Sequence, residues 1–359
     1  MKHLLFALIL IPLVMSLSDC SKEKHTSWEF STLPASVKSK FFERKPAKHV
    51  LLDPDHKIWG LSVIKWKDGK YHAYYSRWPD SLGFKAWLSH SEIAHAVADN
   101  PEGPFRFVNV VVESRHEKGW DVINAHNPYV CKAEDKICLY YISNELRGKY
   151  EHEVDSEYPE FSWFIDNWDK VRNTQRIGVA VASDPAGPFE RAEEPVVEPH
   201  GNFKNIAVNP AVTYVDGKYV MIMKGDDTEH DAWHRIQLVG HASNPEGPFT
   251  FSQKPVYAAT QTEDACIWYD KQFERYYMTC HVMGKRDFAL FSSEDSYNWT
   301  FAGDSIFMKK QIVLDDGTIW KPRRVERPYV LTNEKGKPVM FYVAAVQDEV
   351  SGNIAIPVK

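Results

Sequence analysis

Apolar and polar residues alternate along most of this chain with the period of two that half-buried strands require, in short runs divided by turn residues. In residues 209–227, NPAVTYVDGKYVMIMKGDD, two such runs flank an Asp216-Gly217-Lys218 bend, the composition of a tight hairpin turn. The unit recurs as SVIKWKDGKYHAYYSR (62–77), NPYVCKAEDKICLYYISN (127–144), DACIWYDKQFERYYMTCHV (264–282) and RPYVLTNEKGKPVMFYVAA (327–345). A second hairpin unit alternates with it: AHAVADNPEGPFRFVNVVV (94–112), GVAVASDPAGPFERAEEPVV (178–197), VGHASNPEGPFTFSQKPVY (239–257) and LFSSEDSYNWTFAGDSIF (290–307). Each full repeat therefore holds four strands, and repeats of this length are blades rather than solenoid turns. The expected fold is all-β, a five-bladed β-propeller around a central pore. Only residues 353–358 remain for the second unit of the fifth repeat, so an N-terminal strand is expected to complete that blade.

Blade geometry tells where chemistry can sit. The inner-hairpin bends (DGK) and outer-hairpin bends (NPEGP) share one face and are short and uniform. The remaining connections share the other face and are long and unlike one another, which is where function concentrates on a rigid scaffold. On that face the inner strands begin with Gly60-Leu61, His126-Asn127, Val208-Asn209, Glu263-Asp264 and Glu326-Arg327. The second strands end on Arg77-Trp78, Asn144-Glu145, Lys224 with Asp226, and His281. The connections add Trp87, Trp233, Trp320, Lys321, Arg323, Arg324 and a long aromatic and acidic segment, 145–176. Carboxylates, His, Asn and Arg converging on one pore mouth form an active-site pattern.

Composition narrows the partners. A net charge of −6 gives no basic footprint for nucleic acid. Aromatic residues at 13%, with 12 Trp, serve half-buried strands and offer stacking surfaces for carbohydrate. Residues 1–20 read as a signal peptide: Lys2 and His3 precede an apolar run too short to span a bilayer. Leu17-Ser18-Asp19-Cys20 resembles a bacterial lipoprotein box, with Asp19 where a small residue is usual. Residues 21–50 read as a tether and closing segment and 51–359 as the propeller. The expected place is the periplasm or outer membrane, with membrane contact only through a lipid on Cys20. Cys131 and Cys138, and Cys266 and Cys280, flank two hairpins, either as disulfides or as buried thiols. No cofactor is expected; a divalent ion in the pore is compatible with the architecture, but no ligand spacing marks one.

The blade units, especially SVIKWKDGKYHAYYS and ASDPAGPF, resemble those of the five-bladed propeller glycoside hydrolases of family 43 and its relatives, over nearly the whole chain after residue 50. The resemblance implies inverting hydrolysis by a general-base Asp, a general-acid Glu and a second, orienting Asp. Such chemistry needs two carboxyl groups far enough apart to admit a water. The chain departs from the family at all three places. The base position falls on Trp59-Gly60-Leu61-Ser62, the orienting Asp on Ala125-His126-Asn127-Pro128, and the acid on Val208-Asn209-Pro210. Carboxylates at matching places lie instead in the fourth and fifth repeats, at Glu263, Asp264 and Glu326, so a site rotated around the pore is expected.

Asp264 and Glu326 are the expected acid/base pair, with Asp55 and His126 in reserve. Glu263 would point to the opposite side of an extended strand from Asp264. Asp53 and Asp55 could swing in as a base or simply build the Asp-Pro-Asp turn. His126 could act near neutral pH, bind a sugar hydroxyl or cap its strand. Asn127 and Asn209 suit hydrogen bonds to substrate, as do Asp226, Glu263 and His281. Arg77, Lys224, Arg323, Arg324 and Arg327 suggest an anionic sugar held by guanidinium forks, unless each pairs with nearby acids. Trp78, Trp87, Trp233 and Trp320 could form a sugar platform or pack. The expected function is exo-acting hydrolysis of a terminal sugar, neutral or anionic, from plant or algal polysaccharide fragments, the 145–176 segment closing the pore to long chains. One alternative is a uronate lyase with His126 or a Tyr as base and Arg77 or Arg327 neutralising the carboxylate. The other is a surface glycan-binding lipoprotein without catalysis.

Overall fold

A computed structural model describes residues 28–113, 119–146 and 160–359; the leader with Cys20, residues 21–27 and residues 147–159 of the long connection lie outside the described residues. Five four-stranded antiparallel sheets stand in a ring, the five-bladed propeller that the repeats predict. From the pore outward, the first blade is His56–Lys65, Tyr71–Pro79, Glu92–Ala98 and Arg106–Val112. The second is His126–Ala133, Lys136–Asn144, Gln175–Ala182 and Glu190–Arg191, and the third Phe203–Val215, Lys218–Asp227, Arg235–Ala242 and Thr250–Phe251. The fourth is Thr262–Asp270, Arg275–Val282, Asp287–Ser293 and Thr300–Lys309. The fifth takes Arg324–Thr332, Pro338–Gln347 and Val350–Pro357 from the end of the chain, and Val50–Leu51 pairs outside them, Val50 opposite Ile354. Trp28 and Phe30 extend this closure by packing on Trp268, Tyr277, Phe307 and Phe341.

The repeat chemistry also joins one blade to the next. Tyr74 Oη donates to the Pro185 carbonyl (2.9 Å), Tyr140 Oη to Pro245 (2.9 Å) and Tyr342 Oη to Pro101 (2.6 Å). In each case a buried second-strand tyrosine grips the Asn/Asp-Pro-x-Gly-Pro bend of the following blade. The fourth blade lacks that bend. There His241 of the third blade meets Ser296 Oγ (2.8 Å) and stacks on Tyr297 at 4.0 Å. Cys131 lies directly across its hairpin from Cys138, and these two, with Cys266 and Cys280, are buried free thiols.

Candidate functional site at the pore mouth

All five inner strands are interrupted at the same height. Their pairing slips between Trp59 and Ser62, His126 and Tyr129, Val208 and Ala211, Glu263 and Cys266, and Glu326 and Tyr329. At each bulge one residue takes positive φ: Gly60 (62°), Asn127 (50°), Asn209 (53°), Asp264 (58°) and Arg327 (51°). Bulges re-aim side chains, and here they build a buried belt. Asn127 Nδ2 donates to Asn209 Oδ1 (2.8 Å), and Asn209 Nδ2 donates to Asp264 Oδ1 (2.7 Å). Arg327 donates to Asp264 from the other side, Nη1 to Oδ1 at 3.2 Å and backbone N to Oδ2 at 3.4 Å. Gly60 makes room: a Cβ there would lie 3.4 Å from Arg327 Nε and 3.3 Å from Asn127 Oδ1. The backbone freed by the bulges is satisfied by neighbouring blades, Asn127 N by Ser76 Oγ, Val130 N by Ser62 Oγ and Val330 N by Cys266 Sγ.

One residue before each belt position the chain supplies an upper layer: Trp59, His126, Val208, Glu263 and Glu326. Its two carboxylates stand on adjacent blades among cations. Glu263 accepts from Lys224 Nζ (2.9 Å), meets Arg235 Nε at 3.2 Å and lies 3.9 Å from His281 Nδ1. Burial pushes its carboxyl up, but Lys224 and Arg235 outweigh this and hold it at about 2. Glu326 is gripped by both arms of Arg324 (3.0 and 2.6 Å), whose guanidinium lies over Trp59 and Phe84. Lys310, buried beside Phe288, feels both carboxylates; its own desolvation lowers its pKa and Glu326 restores part of that. His281 is kept below its ordinary range by burial and by Lys310. The side chains of Glu263 and Glu326 keep 16% and 19% of their surface open.

Aromatic rings adjoin this charged group, Phe84 lying under Arg324. Trp87 stacks on the His126 ring at 4.9 Å and meets Trp168 edge-on at 5.6 Å, with Trp78 and Phe84 behind. The helices Phe161–Asp166 and Trp168–Arg172 bring Trp168 and Arg172 to this rim. Charged groups adjoining aromatic rings suit a sugar, which has polar edges and an apolar face.

The remaining expected residues fall elsewhere. Asp264, Asn127, Asn209 and Arg327 form the belt beneath the mouth. His126 is buried with Nδ1 on Ser91 Oγ (2.8 Å), and burial drives its pKa well below the usual range. Asp226 is fully buried: Arg172 pairs with both its oxygens and Asn205 Nδ2 donates to Oδ2, which outweighs burial and lowers its pKa. Arg77 turns outward to Glu92 (2.7 Å) and Asp53 (3.5 Å). Trp78 is buried with its indole N–H on the Gly83 carbonyl, and Trp320 packs under Phe41. Asp55 sits in the exposed turn that Asp53 Oδ1 caps. Arg172, Arg235 and Lys310 join the site without having been expected there. Arg235 and Lys310 begin or follow strands on the functional face and were legible on that ground; Arg172 sits inside the long connection and carried no signal. A cavity of about 1350 Å³ opens at the other end of the pore, among the DGK-type bends, lined by Trp66, Tyr129, Ile267 and Tyr329. It is ringed by turn residues, among them Lys67, Asp216 and Lys335.

No family model matches the chain, and no curated protein sequence matches it. Solved structures do resemble it. A family 117 glycoside hydrolase produced by the marine bacterium Zobellia galactanivorans superposes with a TM-score of 0.59 at 14% identity, over 93% of this chain and 90% of that one. A family 43 enzyme from Xanthomonas citri complexed with xylotriose gives 0.57 at 13% identity, over 90% and 93%. A family 43 beta-xylosidase/alpha-arabinofuranosidase from a compost microbial metagenome, also in complex with xylotriose, gives 0.56 at 15% identity, over 88% and 94%. At these identities the likeness is one of fold.

Proposed function

We propose that this chain is an exported glycoside hydrolase that removes a terminal sugar, with Glu263 and Glu326 as its working carboxylates. The observation that carries this reading is the upper layer of the pore mouth: two partly open carboxylates on neighbouring blades, set among cations, with aromatic rings adjoining through Arg324. That resembling structures include glycoside hydrolases, with xylotriose bound in family 43 examples, supports the choice of substrate class. Asp264 moves from catalyst to scaffold, because both its oxygens are engaged within the belt.

Glu263 remains ionised through the working range and serves as the general base that activates water. Glu326 serves as the acid. In the free protein it is tied to Arg324, so substrate must take over the Arg324 fork. An anionic substituent, uronate or sulfate, does this with the bidentate geometry that guanidinium favours. It is also met by Lys310, which has no ion pair within 4 Å among the described residues. Capture of Arg324 releases Glu326 from its ion pair; it takes a proton from bulk water and passes it to the leaving oxygen, while Glu263 takes one from the attacking water. Inversion is the stereochemistry that the family 43 resemblance implies, and it requires the two carboxyl groups to stand roughly 6.5–9.5 Å apart.

The test is kinetic. Glu326→Gln should lose roughly 10²- to 10⁴-fold on a sugar leaving group but much less on an aryl glycoside whose phenolate leaves without protonation. Glu263→Gln should lose comparably on both, with added azide restoring turnover. Equal loss of both substrates in Glu326→Gln would remove it as the acid.

A further inference from the structure

Outside the pore mouth, the connection between Lys218–Asp227 and Arg235–Ala242 gathers one carboxylate and two imidazoles. His230 Nδ1 lies 3.0 and 2.7 Å from the two oxygens of Asp227, and His234 Nε2 lies 3.8 Å from Oδ2. The two rings stack with centroids 3.9 Å apart and planes 7° from parallel. One ligand atom from each of the three residues falls within 4.8 Å of the others. Local hydrogen bonds fix this arrangement: His230 N donates to Asp227 Oδ1 (3.0 Å), Asp227 N to the His234 carbonyl (2.9 Å), and Lys204 Nζ to the His230 carbonyl (2.6 Å).

We propose that Asp227, His230 and His234 form a binding site for a borderline divalent cation, with zinc the best match. Two imidazole nitrogens and one carboxylate suit zinc-class ions, whereas calcium and magnesium require shells of oxygen. The His230 side chain is 52% exposed, so the outer side of the cluster is open to water as the remaining ligand. The site has a structural consequence. Asp226, next in the chain, locks Arg172, and Trp233 of the same loop lies over the Arg172 guanidinium at 4.1 Å. A metal at Asp227 therefore pins the loop that carries Trp233 at the rim of the mouth. The inference stands independently of the glycosidase reading.

The test uses the full chain stripped with EDTA, desalted and titrated calorimetrically with zinc chloride. Wild type should bind one equivalent that His230→Ala/His234→Ala lacks, and each single variant should weaken binding by at least the roughly 10- to 100-fold that even an outer-shell loss costs. Calcium chloride should not compete. Cobalt should give a visible absorption band in wild type that the double variant loses. Because both histidines sit on a surface loop, unchanged thermal unfolding in EDTA verifies that the variants fold. Absence of stoichiometric zinc binding in wild type, or its survival in the double variant, overturns the proposal.

Discussion

Asp264 and Glu263 are adjacent in sequence and differ in everything that matters for chemistry. Asp264 is the acceptor at which the belt from Asn127 and Asn209 meets Arg327, and its removal strands a buried guanidinium. Asp264→Ala should therefore cost about 3–5 kcal/mol of stability, read from urea unfolding. Glu263 is tuned by cations instead. Replacing Lys224 by Ala should raise its pKa from about 2 and move the acid limb of the pH–rate profile upward; an unmoved limb would take Glu263 out of the base role. A second pH effect comes from His95, stacked on His72 and hydrogen-bonded to it at 2.9 Å. Burial lowers the His95 pKa from 6.5 to about 4. The unfolded chain then binds more protons between these values, so its contribution, up to about 3 kcal/mol, is full above pH 6.5 and lost as pH falls toward 4. His95→Gln should flatten that slope in unfolding measurements across the same range. At this scale the sequence set Glu263 and Asp264 side by side at one strand start but carried no sign of their different surroundings. Alternation could say that Glu263 and Asp264 diverge, yet a bulge with positive φ decides which of them reaches solvent, and bulges leave little trace in a single sequence.

Strands and bends were the most legible level, because hairpin chemistry repeats five times. What the repeats did not disclose was their use between blades. The NPEGP-type bends read as ordinary turns, and Tyr74, Tyr140 and Tyr342 as core aromatics; only in the folded ring do the tyrosines meet the proline carbonyls of the next blade. Each Tyr→Phe substitution at these three positions should cost about 1 kcal/mol and leave a carbonyl unpaired. The three effects should be nearly additive, since the bonds lie at separate blade junctions; a triple variant as stable as wild type would show that the locks are decorative. The short helices Phe161–Asp166 and Trp168–Arg172 escaped for a physical reason. Runs of five or six residues carry no helical period, and they are held by Trp87, Asp226 and their neighbours rather than by propensity. Asn127 and Asn209, expected as hydrogen-bonding partners of substrate, bond to each other and to Asp264, while Ser62 and Ser76 satisfy backbone N–H groups of the second blade.

The whole molecule is a ring closed by its two ends, with Val50–Leu51 sealing the edge of Val350–Pro357 and Trp28 and Phe30 covering the fourth and fifth blades. A chain lacking residues 28–51 should lose cooperative unfolding and aggregate through that exposed edge, as size-exclusion chromatography would reveal. The ring brings Glu263 and Glu326, which are 63 residues apart, to one mouth, and no local pattern could have stated that distance. Incubation of the purified protein with neutral and anionic oligosaccharides, reading released sugar and ultraviolet absorbance together, tests the hydrolase reading most directly. The expected result is a monosaccharide released from an anionic fragment without new absorbance, abolished in Glu263→Gln and in Glu326→Gln. Absorbance rising with cleavage, as a lyase produces, or binding without any release would contradict it.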